Sequence, residues 1–521
     1  MKKDFQTITR KWILIGFLVF FFGIICLLNF SAAPSFYDAD MYCDYQYAME
    51  TWKHKSIFPD GWVFGNQLNA VSTPVLAALF FGLSNHINFS MAAACTVMAI
   101  LVMLSFDWMT RVFIKEPEGR LFAGVLFMTI TLYCGNAVLG NQGWTLFFTM
   151  CSYYAGYSIT AFLAFGSYLR SFNGFTRKQY GILILTCILS FGTGIQSIRQ
   201  TVIMIAPILA LEFLRMALNI QCWKKNKKPL AVAMALAVSN FLGLFYVALR
   251  PINRNQVFGT IKITPLSELE WQFTECFSLI EDLLKANKPE DSLVLTVMMA
   301  LCVGSLFVLL RNAKKKRDLN MLALPLLFGI SVMAIAFIDV ATTMYIRPRY
   351  YFMYYPLLSL LCAYLYDNLR HRMKWVLLAL AVVFSWVAGS HNLSGPCQTA
   401  INREQEECYE ISQYLLDNGY TTIYGRWWNG QNVAVASDGR LSVGYWYTEE
   451  EPFDKVTYLC NPEIYNADPE QCVYLFAGKQ VADIGVSAAQ SMDVPLQLLR
   501  YYPESDIYLY TAEANLMQIN R

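Results

Sequence analysis

Apolar runs of about 20 residues recur along most of the chain, and no other feature constrains its fold as much. The first extends from Trp12 to Ser31. As a helix, such a run matches a hydrocarbon core of roughly 30 Å. Hydropathy predicts about eleven spans, at approximately 12–31, 88–110, 121–139, 153–169, 180–198, 200–218, 230–249, 292–310, 320–344, 350–366 and 374–391. Charged residues make up 15% of the 521, against about a quarter in soluble domains. The expected fold class is a polytopic α-helical membrane protein. The N-terminal run is long for a signal peptide and lacks a convincing small-x-small site, so it reads as a retained first helix.

Charge position predicts the orientation. With the N-terminus inside, six short cytoplasmic loops collect 23 of the 40 Lys and Arg residues. They include Lys2, Lys3, Arg10 and Lys11 at the start, Lys224–Lys228 in the middle and Lys314–Arg317 later. Net charge is only +2, so no global field points to nucleic acid. Residues 67–84 are apolar enough to span. As a span, however, they would move Arg111–Arg120 outside and invert everything after. They read instead as an amphipathic or re-entrant helix at the outer surface.

With an odd number of spans, the chain from about residue 392 lies outside. The domain plan is a transmembrane domain over 1–391, with a first outer loop at 32–87, and an extracytoplasmic α/β domain over 392–521. That tail is long enough to fold alone. REQEECYEISQYLLDNGY reads as an amphipathic helix ended by Gly419, and TTIYGRWW and LSVGYWY as strands around a turn at Ser437-Asp438-Gly439. Its cysteines, Cys397, Cys408, Cys460 and Cys472, fit a disulfide or free thiols equally. The four histidines form no cluster, and Trp62, Trp144, Trp386, Trp427 and Trp428 fit an interface belt or a domain core before a sugar platform.

Chemistry concentrates at the expected outer ends. The first loop opens with SFYDADMYCDYQYAMETW, carrying Asp38, Asp40 and Asp44. In a helix, Asp40 and Asp44 share a face. Such carboxylates serve a general base, or hold a divalent cation such as Mg or Mn with Asp38 and Asp40 as ligands, or are simply solvated. GIQSIRQ places Arg199 in a tight hairpin, and IRPRYYFMYYP places Arg347 and Arg349 between two spans. Outward arginines run against the inside bias; phosphate binding explains them better than snorkelling to headgroups. Asp339, within ISVMAIAFIDVATTMY, needs a partner at that depth, expected to be Arg199 or Arg347. Asp107 and Glu212 read as ordinary helix-surface pairs with Arg111 and Arg215.

This layout resembles the GT-C superfamily of multi-span glycosyltransferases that use polyprenyl-phosphate-linked sugars. The residues carrying the resemblance are the acidic first loop, the Arg199 hairpin, the late R-x-R-Y-Y and the extracytoplasmic tail. The stretch IYGRWWNGQNVAVASDGRLSV is similar to tails of such proteins in low-GC Gram-positive bacteria. The resemblance implies a bacterial plasma-membrane enzyme passing a sugar from a polyprenyl-phosphate-linked donor to a cell-envelope glycan or lipid acceptor. It implies a base at Asp38 or Asp40, donor-phosphate contacts from Arg199, Arg347 and Arg349, and supporting roles for Asp44 and Asp339. A second acid in a later loop would be Glu268, Glu270 or Glu275. A lipid or oligosaccharide transporter, or a non-catalytic envelope-assembly protein, is the competing expectation; mid-membrane polar residues and inverted repeats would favour transport.

Overall fold

A computed structural model describes residues 2–133, 143–150, 152–218, 223–224, 226–255, 262–284, 292–316, 318–344, 346–448 and 451–519. The apolar runs form helices. Eight described helices are long and apolar enough to cross a membrane: Gln6–Ser31, Ile87–Thr110, Arg177–Gln196, Thr201–Leu218, Lys228–Ala248, Ser292–Lys316, Asn320–Ala341 and His371–Asn392. The other three expected spans are helices of 17, 16 and 15 residues, at Pro117–Tyr133, Ala155–Arg170 and Tyr354–Asn368. The first was expected to reach 139, and its end lies outside the described residues. Every residue from Ala155 to Leu169 is buried. A helix enclosed by other helices meets protein instead of lipid, so it needs no full bilayer length.

The helices interlock where side chains vanish. A Cβ on Gly194 would lie 2.2 Å from the Asn240 carbonyl oxygen, and one on Gly243 would lie 2.1 Å from that of Phe191. Helices Arg177–Gln196 and Lys228–Ala248 therefore touch backbone to backbone, as small residues allow in membranes. Ser190 Oγ donates to the Leu236 carbonyl at 3.0 Å, and Asn240 Nδ2 to that of Ser190 at 3.1 Å, across the same seam.

At the basic end, helix α1 (Lys2–Ser31) carries Arg10, expected among solvated loop charges. The structure buries it, at 1% exposure, against an equally buried Glu118. Arg10 Nε lies 2.5 Å and Nη2 3.1 Å from the carboxylate, which also accepts the Tyr366 hydroxyl. This network ties α1 to helices Pro117–Tyr133 and Tyr354–Asn368. Asp107 pairs with Arg111 and Glu212 with Arg215, both at 2.6 Å, as expected of helix neighbours. Glu212, however, is not on the surface: it is buried and also accepts from the Tyr168 hydroxyl and Trp223 Nε1, because those two side chains close over it.

At the opposite end, the first loop folds into α2 (Ala39–His54) and α3 (Thr73–Ser84). With 12 residues, α3 is about 18 Å long, too short to span. Asn85, at φ 57°, reverses the chain so that α3 packs back on Ile87–Thr110. This agrees with reading 67–84 as a non-spanning helix.

The tail reaches this same end. Helix Glu407–Asp417 leads, past Gly419 at φ 82°, into a five-stranded sheet of order β2-β1-β3-β5-β4. The strands are β1 (Thr422–Arg426), β2 (Ser442–Trp446), β3 (Cys472–Ala477), β4 (Gln497–Tyr502) and β5 (Ile507–Thr511). The two expected strands exist, but β1 and β2 run parallel and are joined through helix Gln431–Ala436 instead of by the Ser437–Gly439 turn alone. A parallel pair needs such a crossover. One apolar core joins Tyr37, Met41, Tyr42, Cys43 and Tyr45 of the first loop to Ile423, Trp427, Val443 and Tyr445 of the tail. Cys397, Cys408, Cys460 and Cys472 are free thiols.

Candidate active site

Asp38 is the N-cap of α2. Its carboxylate accepts the Met41 N–H at 2.8 Å, the bond that makes Asp a favoured helix start. The Tyr153 hydroxyl approaches the same oxygen at 3.5 Å. Asp40 follows in the first turn and Asp44 lies one turn further along the same helix. Burial, then the Asp40 charge, pushes the Asp38 carboxyl up to about 6, against the pull of Met41 N–H, Arg349 and Tyr153. Burial also raises Asp40, while Arg349 and Arg347 oppose that rise.

Those arginines arrive from more than 300 positions away. Pro348 favours extended backbone in the residue before it, and Arg347 has φ −117° and ψ 154° ahead of the short turn Pro348–Tyr351. The turn carries Arg349 toward both carboxylates. Arg349 Nε is buried without a hydrogen-bond partner among the described residues. Arg199 comes from the hairpin after Arg177–Gln196, where its N–H binds Ser197 Oγ at 3.1 Å. A π-helical turn, Thr201–Ile205, follows it; such turns recur at functional sites. The Arg199 guanidinium lies 4.9, 5.6 and 4.6 Å from the ring centres of Tyr154, Tyr157 and Tyr350. Tyr350 also lies 6.0 Å from the Arg349 guanidinium. Aromatic faces hold a cation without neutralising it. Among the described residues Arg199 forms no ion pair.

The structure thus gathers Asp38, Asp40, Arg347 and Arg349, with Arg199 joined to them through Tyr350. Asp339 stands apart. Its expected partner was Arg199 or Arg347, but it accepts from Tyr351 Oη at 3.3 Å beside Cys276. Tyr351 closes the turn that carries Arg349 and donates to Asp339, while Arg199 is enclosed by tyrosines. Glu268, Glu270 and Glu275 are exposed, on the turn Leu266–Glu268 and helix Leu269–Leu284. Of the three, Glu275 lies within electrostatic reach of Asp339. No group of three or more His, Cys, Asp and Glu among the described residues is arranged to hold a metal ion. Two carboxylates are as many as a Mg site takes from the protein when substrate phosphate and water fill the rest of its shell.

The sequence reading missed the tyrosine cage and the tail's share of the site. Trp427 stacks on Tyr458 at 5.1 Å and 22°, and Tyr458 lies within electrostatic reach of Asp40. Of the cage tyrosines, Tyr350 adjoins Arg349 in RYYFMYY, whereas Tyr154 and Tyr157 of SYYAGY lie more than 40 positions before Arg199 in the chain.

No protein-family model and no curated protein sequence matches the chain. The fold does match solved structures. ArnT from Cupriavidus metallidurans in the apo state superposes with TM-score 0.57 and 10% identity, over 97% of this chain and 99% of that one. The same protein bound to undecaprenyl phosphate gives TM-score 0.55 and 10% identity over the same shares. At that identity the likeness is one of fold, and it agrees with the polytopic helical architecture and small C-terminal α/β domain expected from the sequence.

Proposed function

We propose that this chain is a membrane glycosyltransferase that moves a sugar from a polyprenyl-phosphate-linked donor to a cell-envelope acceptor outside the plasma membrane. One observation carries the reading: the Arg349 guanidinium, its Nε buried and unpartnered among the described residues, lies within electrostatic reach of the raised Asp38 carboxyl, and the tyrosine-caged Arg199 guanidinium adjoins it through Tyr350. Such guanidiniums bind a phosphate and hold the charge that gathers on it. A carboxyl near 6 is ionised at neutral pH, yet basic enough to accept a proton in the transition state. The undecaprenyl phosphate bound to ArnT, whose fold this chain shares, supports the donor class.

The step balances simply. Asp38 takes the proton of the acceptor hydroxyl as its oxygen bonds to the donor's anomeric carbon. The bond from that carbon to the phosphate oxygen breaks, and the polyprenyl phosphate leaves with both electrons. Arg349 and Arg199 hold the phosphate, with Arg347 beside them, and burial together with the Asp40 charge raises Asp38. The six basic loops at the other end support a cytoplasmic N-terminus and an outward-facing site.

The test is transfer of labelled sugar by purified protein in lipid nanodiscs, from a polyprenyl-phosphate-linked donor to envelope extract. Transfer by wild type, abolished in the Asp38→Asn, Asp40→Asn double variant, is expected. Full transfer by that variant would remove the base role. Substrate flux across a vesicle with no transfer would mean a transporter.

A further inference from the structure

We propose that Tyr445, on strand β2 of the tail, belongs to the acceptor side of the site, where its hydroxyl and the Asp38 carboxylate bracket one hydroxyl group of the incoming sugar or lipid acceptor. The inference rests on the glycosyl-transfer reading and adds a substrate contact contributed by the tail. Tyr445 is 2% exposed, and its hydroxyl oxygen is buried with no hydrogen-bond partner among the described residues. An orphaned buried hydroxyl is unfavourable, and phenylalanine would fill the same core without it.

The surroundings explain why no protein group satisfies it. The Tyr42 hydroxyl donates to the Leu441 carbonyl at 3.2 Å. The Tyr465 hydroxyl serves the Tyr445 backbone, accepting its N–H at 3.1 Å and reaching its carbonyl at 2.8 Å. On its other side Tyr445 packs against the Trp427 ring, with centroids 4.8 Å apart. What faces the hydroxyl electrostatically includes Cys43, Tyr42, Tyr465 and Asp38.

The placement is built by α2. Tyr42 and Gln46 follow Asp38 by one and two turns on the same helix face. Gln46 Nε2 reaches the Val443 carbonyl at 3.3 Å, so the face of α2 that begins at Asp38 carries strand β2. Val443 and Tyr445 then project from the same side of that strand. Tyr445 senses Asp38 without bonding to it, so an acceptor oxygen taken up between them would meet a proton acceptor on one side and a hydroxyl donor on the other. The stacked Trp427–Tyr458 pair walls the same side near Asp40. A hydroxyl-bearing acceptor with an apolar sugar face fits such a wall.

Tyr445→Phe tests this, with Tyr502→Phe as control, because Tyr502 is also a buried unpartnered hydroxyl of the tail but faces Arg500 and Glu410. Steady-state transfer is measured against donor and acceptor concentration, with the melting temperature of each variant. Tyr445→Phe is expected to lower acceptor kcat/KM about tenfold or more, with donor KM within about twofold and melting temperature equal or higher. Tyr502→Phe is expected to leave all kinetic values unchanged. Wild-type transfer together with an unaltered Tyr445→Phe overturns this inference alone. A Tyr445→Phe loss accompanied by a lower melting temperature or an equal loss of donor affinity also overturns it. No transfer by the wild type overturns the proposed function and this inference with it.

Discussion

Replacing Asp38 by asparagine should stabilise the protein above pH 6 while removing its activity. The carboxyl is raised from its ordinary 3.8 to about 6 by burial and by Asp40. An acid with a raised folded value stabilises through its protonated form. That contribution is fully present below pH 3.8 and is lost as pH rises through about 6. Well above 6, holding the ionised carboxylate costs about 3 kcal/mol, from roughly 1.4 kcal/mol per pH unit. Asparagine keeps the cap on the Met41 N–H and sheds the charge. Asp38→Asn should therefore gain about 1–3 kcal/mol at pH 7.5, with the gain shrinking toward pH 5. Transfer should fall by about 10²–10⁴-fold, the usual worth of a general base. Wild-type activity should climb about tenfold per pH unit below 6 and level above it. Thermal melts at pH 5 and 7.5, run beside rate–pH profiles, read both effects. A variant less stable than wild type at pH 7.5, or one retaining transfer, would refute the argument.

Arg349→Ala should raise the dissociation constant of polyprenyl phosphate by about 10–100-fold in a competition assay, with acceptor KM changed far less; the reverse ranking would reject the phosphate role. Glu118→Gln leaves Arg10 buried opposite a neutral amide, so melts should show a loss of about 3–5 kcal/mol, with transfer per folded molecule unchanged. Gly243→Ala presses a methyl toward the Phe191 carbonyl 2.1 Å away, and should cost about 1–3 kcal/mol in the same melts. Glu116→Cys, in a chain with its accessible thiols blocked, should react with an impermeant maleimide only from the cytoplasmic side; labelling of intact cells would invert the topology.

Local sequence carried the helices and both halves of the acid–base cluster. Apolar length marked the spans, and a helix needs only its own residues to form. The charges of Asp38, Asp40, Arg347 and Arg349 were visible because charge is expensive beside the ends of apolar spans. Pairing across hundreds of positions was not visible. Asp339 was matched to an arginine because charge complementarity was the only guide; the structure gives it Tyr351, a neutral donor with no charge to betray it. The tyrosines around Arg199 carry no signal that separates a cation cage from an interface belt. The parallel β1–β2 pair was masked for a related reason: the Ser437-Asp438-Gly439 turn is real in composition, but helix Gln431–Ala436 turns the chain back before it.

The core shared by α2 and the tail sets an order of assembly. Tyr42 and Leu441 are 399 positions apart, yet joined by a hydrogen bond. At about 5–20 residues per second, the first loop waits roughly 20–80 s on the ribosome's schedule before its cover is made. During that time the buried tyrosines of α2 stand open to water. Once the tail arrives, Gln46 and Tyr42 close on β2, and His86 meets Asp438 at 2.7 Å. A ribosome that stops before residue 441 would leave a full set of membrane helices with an unfinished first loop, so a prematurely terminated product could persist in the membrane but would lack the enclosure around Asp38.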